Sequence, residues 1–279
     1  MTITIIGTGL IGGSIALALK DKGFGYRIIG VDASKDNQQK ALDLHLVDEI
    51  LPLYPAVVKA DLIILAIPVS ACEIMLPQLL DNIQSQVIID TGSTKQNLID
   101  AVKDHPARGR YVATHPMWGT EYSGPEAAIH GAFVNKATVI CNREESDEDA
   151  VKVAEDLYKA LGMYLVYLNA FDHDIQVAYV SHISHITSFA LANTVLEKEK
   201  EEDAIFRLAS AGFESTVRLA KSNPAMWVPI FMQNRENVLD VLNEHISQLR
   251  KFKACLEKEN TEYLQQLIEN ANKIKKIIK

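Results

Sequence analysis

A chain of 279 residues is long for one hydrophobic core and comfortable for two. Hydrophobic residues make up 48% and charged residues 23%, which is ordinary soluble globular composition, and a net charge of −8 argues against a nucleic-acid surface or a polybasic membrane contact. Cys72, Cys141 and Cys255 form no C-x-x-C, so neither a zinc site nor a disulfide framework is expected and a reducing cytoplasm fits.

The first nineteen residues carry no charged side chain, yet no basic segment precedes them and Gly7, Gly9, Gly12 and Gly13 interrupt the run. A signal peptide or a membrane span is therefore rejected. Up to Leu168, short β-branched runs alternate with helical stretches: 2–7, 27–32, 61–68, 86–90, 110–115, 137–142 and 163–168. Several are apolar throughout, as strands buried on both faces of a parallel sheet are. The expected fold is α/β, a doubly wound Rossmann-type domain with right-handed crossovers. After Leu168 the strand signal stops. One long helical pattern covers 172–200, and further helical segments are expected at 203–221, 225–258 and 260–279, with Pro224 and Asn260 as breaks. This all-helical half, residues 169–279, is apolar enough to bury surface against a second copy of itself. Lys273, Lys275, Lys276 and Lys279 complement the negative end of a terminal helix.

The first turn reads "IIGTGLIGGS", giving Gly7-x-Gly9-x-x-Gly12 between a strand and a helix. Gly7 permits the tight turn, Gly9 lets a pyrophosphate approach the backbone, and Gly12 lets helix and strand pack closely. Leu10 and Ile11 open the helix, whose first amides and partial positive charge suit phosphates. Asp32 ends the second strand 20 residues beyond Gly12, where an acid holds the adenosine ribose hydroxyls. Ala33 and Ser34 follow it with no arginine to receive a 2′-phosphate, so NAD is expected over NADP. A purely structural glycine turn is the alternative.

Other residues fall where a nicotinamide would react. "DTGSTK" (90–95) stands at the carboxyl end of a strand, where open α/β sheets place ligands. Ser93 is either a helix N-cap, with Lys95 solvated, or an active-site hydroxyl. His115 ends the next strand and is either an incidental loop histidine or a base aimed into a cleft. On a regular helix Ser181, His182 and His185 fall within about 100° of arc. The two histidines lack a third metal ligand at a telling spacing, so a polar ligand is preferred to a metal. In "GFESTVRLAKSNPAMW" (212–227), Arg218 and Lys221 stand one turn apart, as a carboxylate clamp or as a solvated basic face.

In this order "GTGLIGGS", "DTGSTK", "THPMWGTEYSG", "VSHISHI" and "GFESTVRLAKSNPAMW" resemble the prephenate/arogenate dehydrogenase family of tyrosine biosynthesis, through nearly the whole chain. The resemblance implies an NAD-binding domain followed by a helical dimerisation domain. It also implies oxidative decarboxylation of prephenate to 4-hydroxyphenylpyruvate, or of arogenate to tyrosine. By the resemblance His115 takes the proton of the ring hydroxyl, Ser93 hydrogen-bonds that hydroxyl and the histidine, and Arg218 holds substrate carboxylate. His185, with Ser181 and His182, faces the substrate side chain. Glu121 belongs to the "GTE" stretch, and Gly212 and Trp227 are expected to approach the partner subunit's site in a homodimer. Tyrosine is a candidate feedback ligand. No appended regulatory domain and no fused chorismate mutase are expected.

Some relatives carry a basic residue where this chain has Glu214, which opens the question of the side-chain pocket. The keto acid is expected as the better substrate, because its carbonyl needs a donor and His185, backed by Ser181, can offer a ring N–H. The rival readings are a β-hydroxyacid dehydrogenase, a pyrroline-carboxylate reductase and a non-catalytic NAD sensor. No glycine-rich helix with a catalytic lysine supports the first, and a sensor has no need of a base.

Overall fold

The structure, a computed structural model, describes residues 1–22, 27–202 and 205–277. Residues 203–204 and 278–279, within expected helical segments, lie outside the described residues. The chain forms two compact units, Met1–Asn234 and Arg235–Lys279.

The first unit is built on eight strands: β1 (Thr2–Ile6), β2 (Arg27–Val31), β3 (Glu49–Ile50), β4 (Leu62–Leu65), β5 (Val87–Asp90), β6 (Tyr111–Pro116), β7 (Ala137–Cys141) and β8 (Tyr164–Leu168). They form one sheet in the order β3-β2-β1-β4-β5-β6-β7-β8. The seven expected strands are all present, and the two-residue β3 is an addition too short to show a pattern in sequence. Helices α1 (Leu10–Asp21), α2 (Lys35–Asp43), α3 (Leu53–Lys59), α4 (Val69–Leu80), α5 (Gln96–Asp100) and α6 (Glu148–Ala160) fill the connections.

The apolar strands are explained by burial on both faces. Ile3, Ile5, Ile28, Leu62, Ile64 and Ile89 join a core on one side of the sheet. Their neighbours in sequence, Ile6, Ile63, Leu65 and Ile88, join a second core on the other. One pairing departs from the parallel expectation: β7 runs antiparallel to β6. The connection between them holds no crossover helix, only a 3-10 turn at Pro125–Ala127, and a parallel return needs a crossover.

Beyond β8 come α7 (Ala170–Val177), a π-helical turn (Ala178–His182), α8 (Ile183–Glu202), α9 (Ala211–Val217) and α10 (Pro224–Gln233). The expected helical pattern over 172–200 is present and runs without interruption through this wider π turn. Pro224 sits in the first turn of α10 behind the capping side chain of Asn223, as a proline that ends one helix and starts the next should. Here α10 packs on α4, and α7 packs on α5. The second unit pairs α11 (Arg235–Glu257) with α12 (Thr261–Asn272). The expected 225–258 helix is divided at Asn234, and Asn260 caps α12 by accepting from the Tyr263 amide at 3.0 Å. Among the described residues no helix is long and apolar enough to cross a membrane.

Candidate active site

The sheet reverses its winding between β1 and β4, where open α/β sheets leave a cleft beyond the strand ends. The glycine turn stands there. Gly7 has φ +95°, and a Cβ on it would overlap the Ala66 carbonyl; a Cβ on Gly12 would overlap the carbonyl of Gly7. These two glycines are required by the turn itself. Gly9 is different: a Cβ there would approach only the Gly124 amide, at 3.9 Å. The bare backbone therefore faces open space, followed by the first amides of α1 at Leu10 and Ile11, which is the cradle a pyrophosphate fits. A cavity of about 980 Å³ runs along it, walled by Gly7, Gly9, Asp32, Leu51, Met75 and Ser123 among others. Asp32 binds back to the turn, its Oδ2 accepting from the Thr8 amide at 3.0 Å and the Thr8 hydroxyl at 3.1 Å.

His115 ends β6 at the same edge and is 8% exposed. Its Nδ1 lies 2.9 Å from Nε2 of His173, whose Nδ1 lies 2.7 Å from Oδ1 of Asp174. The Asp174 carboxylate also accepts the backbone amides of Lys95 at 2.9 Å and Gln96 at 3.0 Å. It is thus an acceptor, which makes His173 Nδ1 a donor and His173 Nε2 an acceptor. His115 Nδ1–H then donates, and Nε2 of His115 carries the lone pair. Burial first, then the neighbouring His173, Lys95 and His182, push the His115 imidazole well below its ordinary range. The imidazole is thus neutral, with Nδ1 engaged by His173.

The structure corrects the reading of Ser93 and Lys95. Helix α5 starts at Gln96 and its first amides are capped by Asp174, so Ser93, half-buried, is no helix cap. Lys95 is fully buried, not solvated, because it pairs with Asp90 and donates to the Thr114 carbonyl at 2.7 Å. Asp90 accepts in addition from the Tyr111 hydroxyl at 2.8 Å and the Thr114 amide at 3.1 Å. This network ties the ends of β5 and β6 together and so fixes the strand end that carries His115.

Helices contribute the remaining groups. Asn234 Nδ2 donates to the Asp174 carbonyl at 2.7 Å and lies 3.2 Å from His182 Nδ1. His182 is buried, its pKa pushed down to about 4 chiefly by that burial, so its Nε2 bears the hydrogen. That nitrogen and Trp227 Nε1 are buried donors with no partner among the described residues. Trp227 stacks on His185, with ring centroids 3.4 Å apart, and meets His182 edge-on. Within its own chain the indole of Trp227 is buried on Val69, Ile230 and Phe231. Gly212 is exposed on α9 and stands outside this cluster.

The π turn alters the expected arc of Ser181, His182 and His185. The His185 Nδ1 hydrogen goes to the Ser181 carbonyl at 3.2 Å, so a neutral His185 offers Nε2 as an acceptor, not the donor expected for a keto group. Burial holds this imidazole below its usual pKa. Arg218 pairs with Glu121 at 3.0 Å and not with Glu214, which is exposed on α9. No group of three or more His, Cys, Asp or Glu able to hold a metal occurs among the described residues.

His173, Asp174 and Asn234 were absent from the sequence-based candidates. The polar "DHD" at 172–174, opening an otherwise apolar helical half, was the signal available.

A glycine cradle at the switch point and an acid at the second strand end define a dinucleotide-binding protein, with a neutral histidine on the same edge. Comparison narrows the class. The family model "prephenate dehydrogenase, nucleotide-binding domain" matches residues 15–167, and "prephenate dehydrogenase, dimerization domain" matches 169–270. The chain is 35% identical to a prephenate dehydrogenase of Bacillus subtilis over 94% of its own length and 72% of that protein's. It is 29% identical to a cyclohexadienyl dehydrogenase of Zymomonas mobilis, over 99% and 96% of the two lengths. A crystal structure of prephenate dehydrogenase from A. aeolicus with hydroxyphenyl propionate and NAD+ superposes with a TM-score of 0.91 at 28% identity, covering 100% of this chain and 98% of that one. The chain belongs to the prephenate dehydrogenase family.

Proposed function

We propose that the protein is an NAD-dependent oxidoreductase that decarboxylates prephenate oxidatively to 4-hydroxyphenylpyruvate, in tyrosine biosynthesis. The observation that carries this reading is the neutral His115, held by His173 and Asp174 at the carboxyl edge of the sheet beside the glycine cradle. NAD, when bound, supplies the hydride acceptor; Gly7, Gly9, Gly12, Leu10, Ile11 and Asp32 would hold it.

His115 Nε2 accepts the proton of the ring hydroxyl. As the imidazole gains charge, its Nδ1–H strengthens the bond to His173, and the Asp174 carboxylate balances the charge through the second ring. With that proton on His115 and the hydrogen of the same carbon passed as hydride to the cofactor, the hydroxyl carbon would become a carbonyl. The electron pair of the breaking bond to the ring carboxylate would then flow through the ring to that oxygen, which takes back a proton as the phenol while carbon dioxide leaves. Aromatisation makes the step irreversible. Ser93 hydrogen-bonds the hydroxyl, Arg218 exchanges Glu121 for a substrate carboxylate, and His182, His185, Ser181 and Trp227 wall the side-chain pocket. Loss of the 340 nm signal that NADH gives with prephenate and NAD would overturn the reading.

A second reading rests on His185. Its neutral Nε2 is an acceptor, which suits the ammonium of arogenate as well as a protonated His185 suits the ketone of prephenate. Catalytic efficiencies with both compounds decide between one substrate and two.

Residues 1–168 form the nucleotide-binding domain in this proposal, and 169–279 the substrate and dimerisation domain of a cytoplasmic homodimer. Tyrosine, which shares the ring and side-chain frame of the product, is the feedback ligand.

A further inference from the structure

Asp32 is more heavily engaged than a ribose-binding acid needs to be. Its Oδ2 accepts from the Thr8 amide and the Thr8 hydroxyl, and its Oδ1 from the Ser34 amide at 2.9 Å and from Asn37 Nδ2 at 3.3 Å. A carboxylate offers about four lone-pair positions, and all four are taken. A ribose hydroxyl that is to bind Asp32 must displace one donor.

The four differ in what holds them. The Thr8 and Ser34 amides are main chain, fixed by the glycine turn and by the start of α2. The Thr8 hydroxyl belongs to a buried residue and does not line the cavity. Asn37 is the half-buried one, its bond is the longest of the four, and it lines the cavity beside Asp32. Its backbone is anchored independently, by the amide bonded to Ser34 Oγ at 3.3 Å as the cap of α2. The carboxamide can therefore turn without disturbing the helix. The next residue does not share this freedom, because Gln38 Nε2 is bonded to the Asp32 carbonyl at 2.6 Å.

We propose that Asn37 reads the adenosine 2′-position of the cofactor: its amide holds the Oδ1 site of Asp32 in the empty cleft, yields that site to the ribose, and takes the 2′-hydroxyl itself. The inference rests on the NAD reading above. A carboxamide both donates and accepts, so it can pair with a hydroxyl whose own hydrogen goes to Asp32. A 2′-phosphate has no hydrogen to give Asp32, and a neutral side chain cannot compensate the repulsion. The pair therefore selects the hydroxyl by two means, an acid that rejects the phosphate and an amide that rewards the alcohol.

The test is direct binding by calorimetry of NAD and of 2′-deoxy-NAD, to the full chain and to Asn37→Ala. In the unaltered protein the missing hydroxyl should weaken binding roughly tenfold, the worth of one hydrogen bond with a charged partner nearby. In Asn37→Ala the ratio of the two dissociation constants should shrink severalfold without reaching one, since Asp32 still takes the hydroxyl hydrogen but the amide that donates to the hydroxyl oxygen has gone. A ratio near one in the unaltered protein, or a ratio kept in Asn37→Ala while both constants shift together, overturns the inference and leaves Asn37 as a support for Asp32. Failure of the unaltered protein to bind NAD at all overturns the nicotinamide reading and this inference with it.

Discussion

His115 Nδ1 and His173 Nε2 face each other at 2.9 Å, and the Asp174 carboxylate behind His173 decides which of the two rings gives the hydrogen. This relation makes the second histidine a positioning group for the first. In His173→Leu the donor of His115 loses its acceptor, and turnover should drop by about two orders of magnitude, the range of a misplaced acid–base group. His173→Gln keeps a carbonyl oxygen able to accept from His115 and should retain clearly more activity. Equal losses in both variants would show that only packing is at stake.

His115→Asn should lower kcat by a factor of roughly 10² to 10⁴ with the dissociation constant of the substrate much less changed. Near-normal turnover would remove His115 from the chemistry.

Burial holds His115, His182 and His185 below their ordinary value of 6.5, His182 down to about 4. A base with a depressed pKa stays unprotonated as pH falls, so kcat/KM should remain level from neutrality to below pH 6. Stability moves the other way. The unfolded chain takes up protons below pH 6.5 that the folded chain refuses, so stability is complete above that pH and is lost as pH falls toward 4. Melting temperature against pH checks this, and His182→Asn should flatten the slope; an unchanged slope would place the acid sensitivity elsewhere.

The Lys95–Asp90 pair is fully buried. Removing one partner leaves an uncompensated charge, so Lys95→Met should destabilise the fold by about 3–5 kcal/mol. The double change Asp90→Asn with Lys95→Met should recover much of that loss. Denaturant titrations of Lys95→Met, of Asp90→Asn and of the double variant measure the coupling, and additive losses would contradict it.

Gly9 and Gly12 should separate in their effects. Gly12→Ala sets a methyl on the Gly7 carbonyl and should unfold the turn, whereas Gly9→Ala has space and should melt normally. The latter should nevertheless weaken NAD binding about tenfold or more, because the pyrophosphate needs the bare backbone. Normal NAD affinity in Gly9→Ala would move the phosphates off this turn.

Much of the first domain was legible in the sequence because its signals are local. Strands such as "LIIL" and "VIID" are apolar on both faces wherever they lie in a parallel sheet, and Gly7-x-Gly9-x-x-Gly12 encodes a backbone turn within six residues. His115 and Ser93 were singled out through their place at strand ends. The reversed β7 was not legible, since strand direction depends on whether a crossover helix forms, and the twenty residues before it carry no strong pattern either way. Lys95 looked solvated because a lysine signals burial only when its partners are known, and one of them, the Thr114 carbonyl, comes from β6. The contact of His185 Nδ1 with the Ser181 carbonyl was not legible either, because no residue pattern marks the π turn beside it. What tertiary structure alone decided is the relay. His173 lies 58 residues from His115, and Asp174 caps α5 from 78 residues away. Neither spacing has a period, because the contact is made by one helix docking on a sheet edge. Local sequence determined which backbone could cradle a nucleotide, and docking determined which nitrogen of His115 can take a proton.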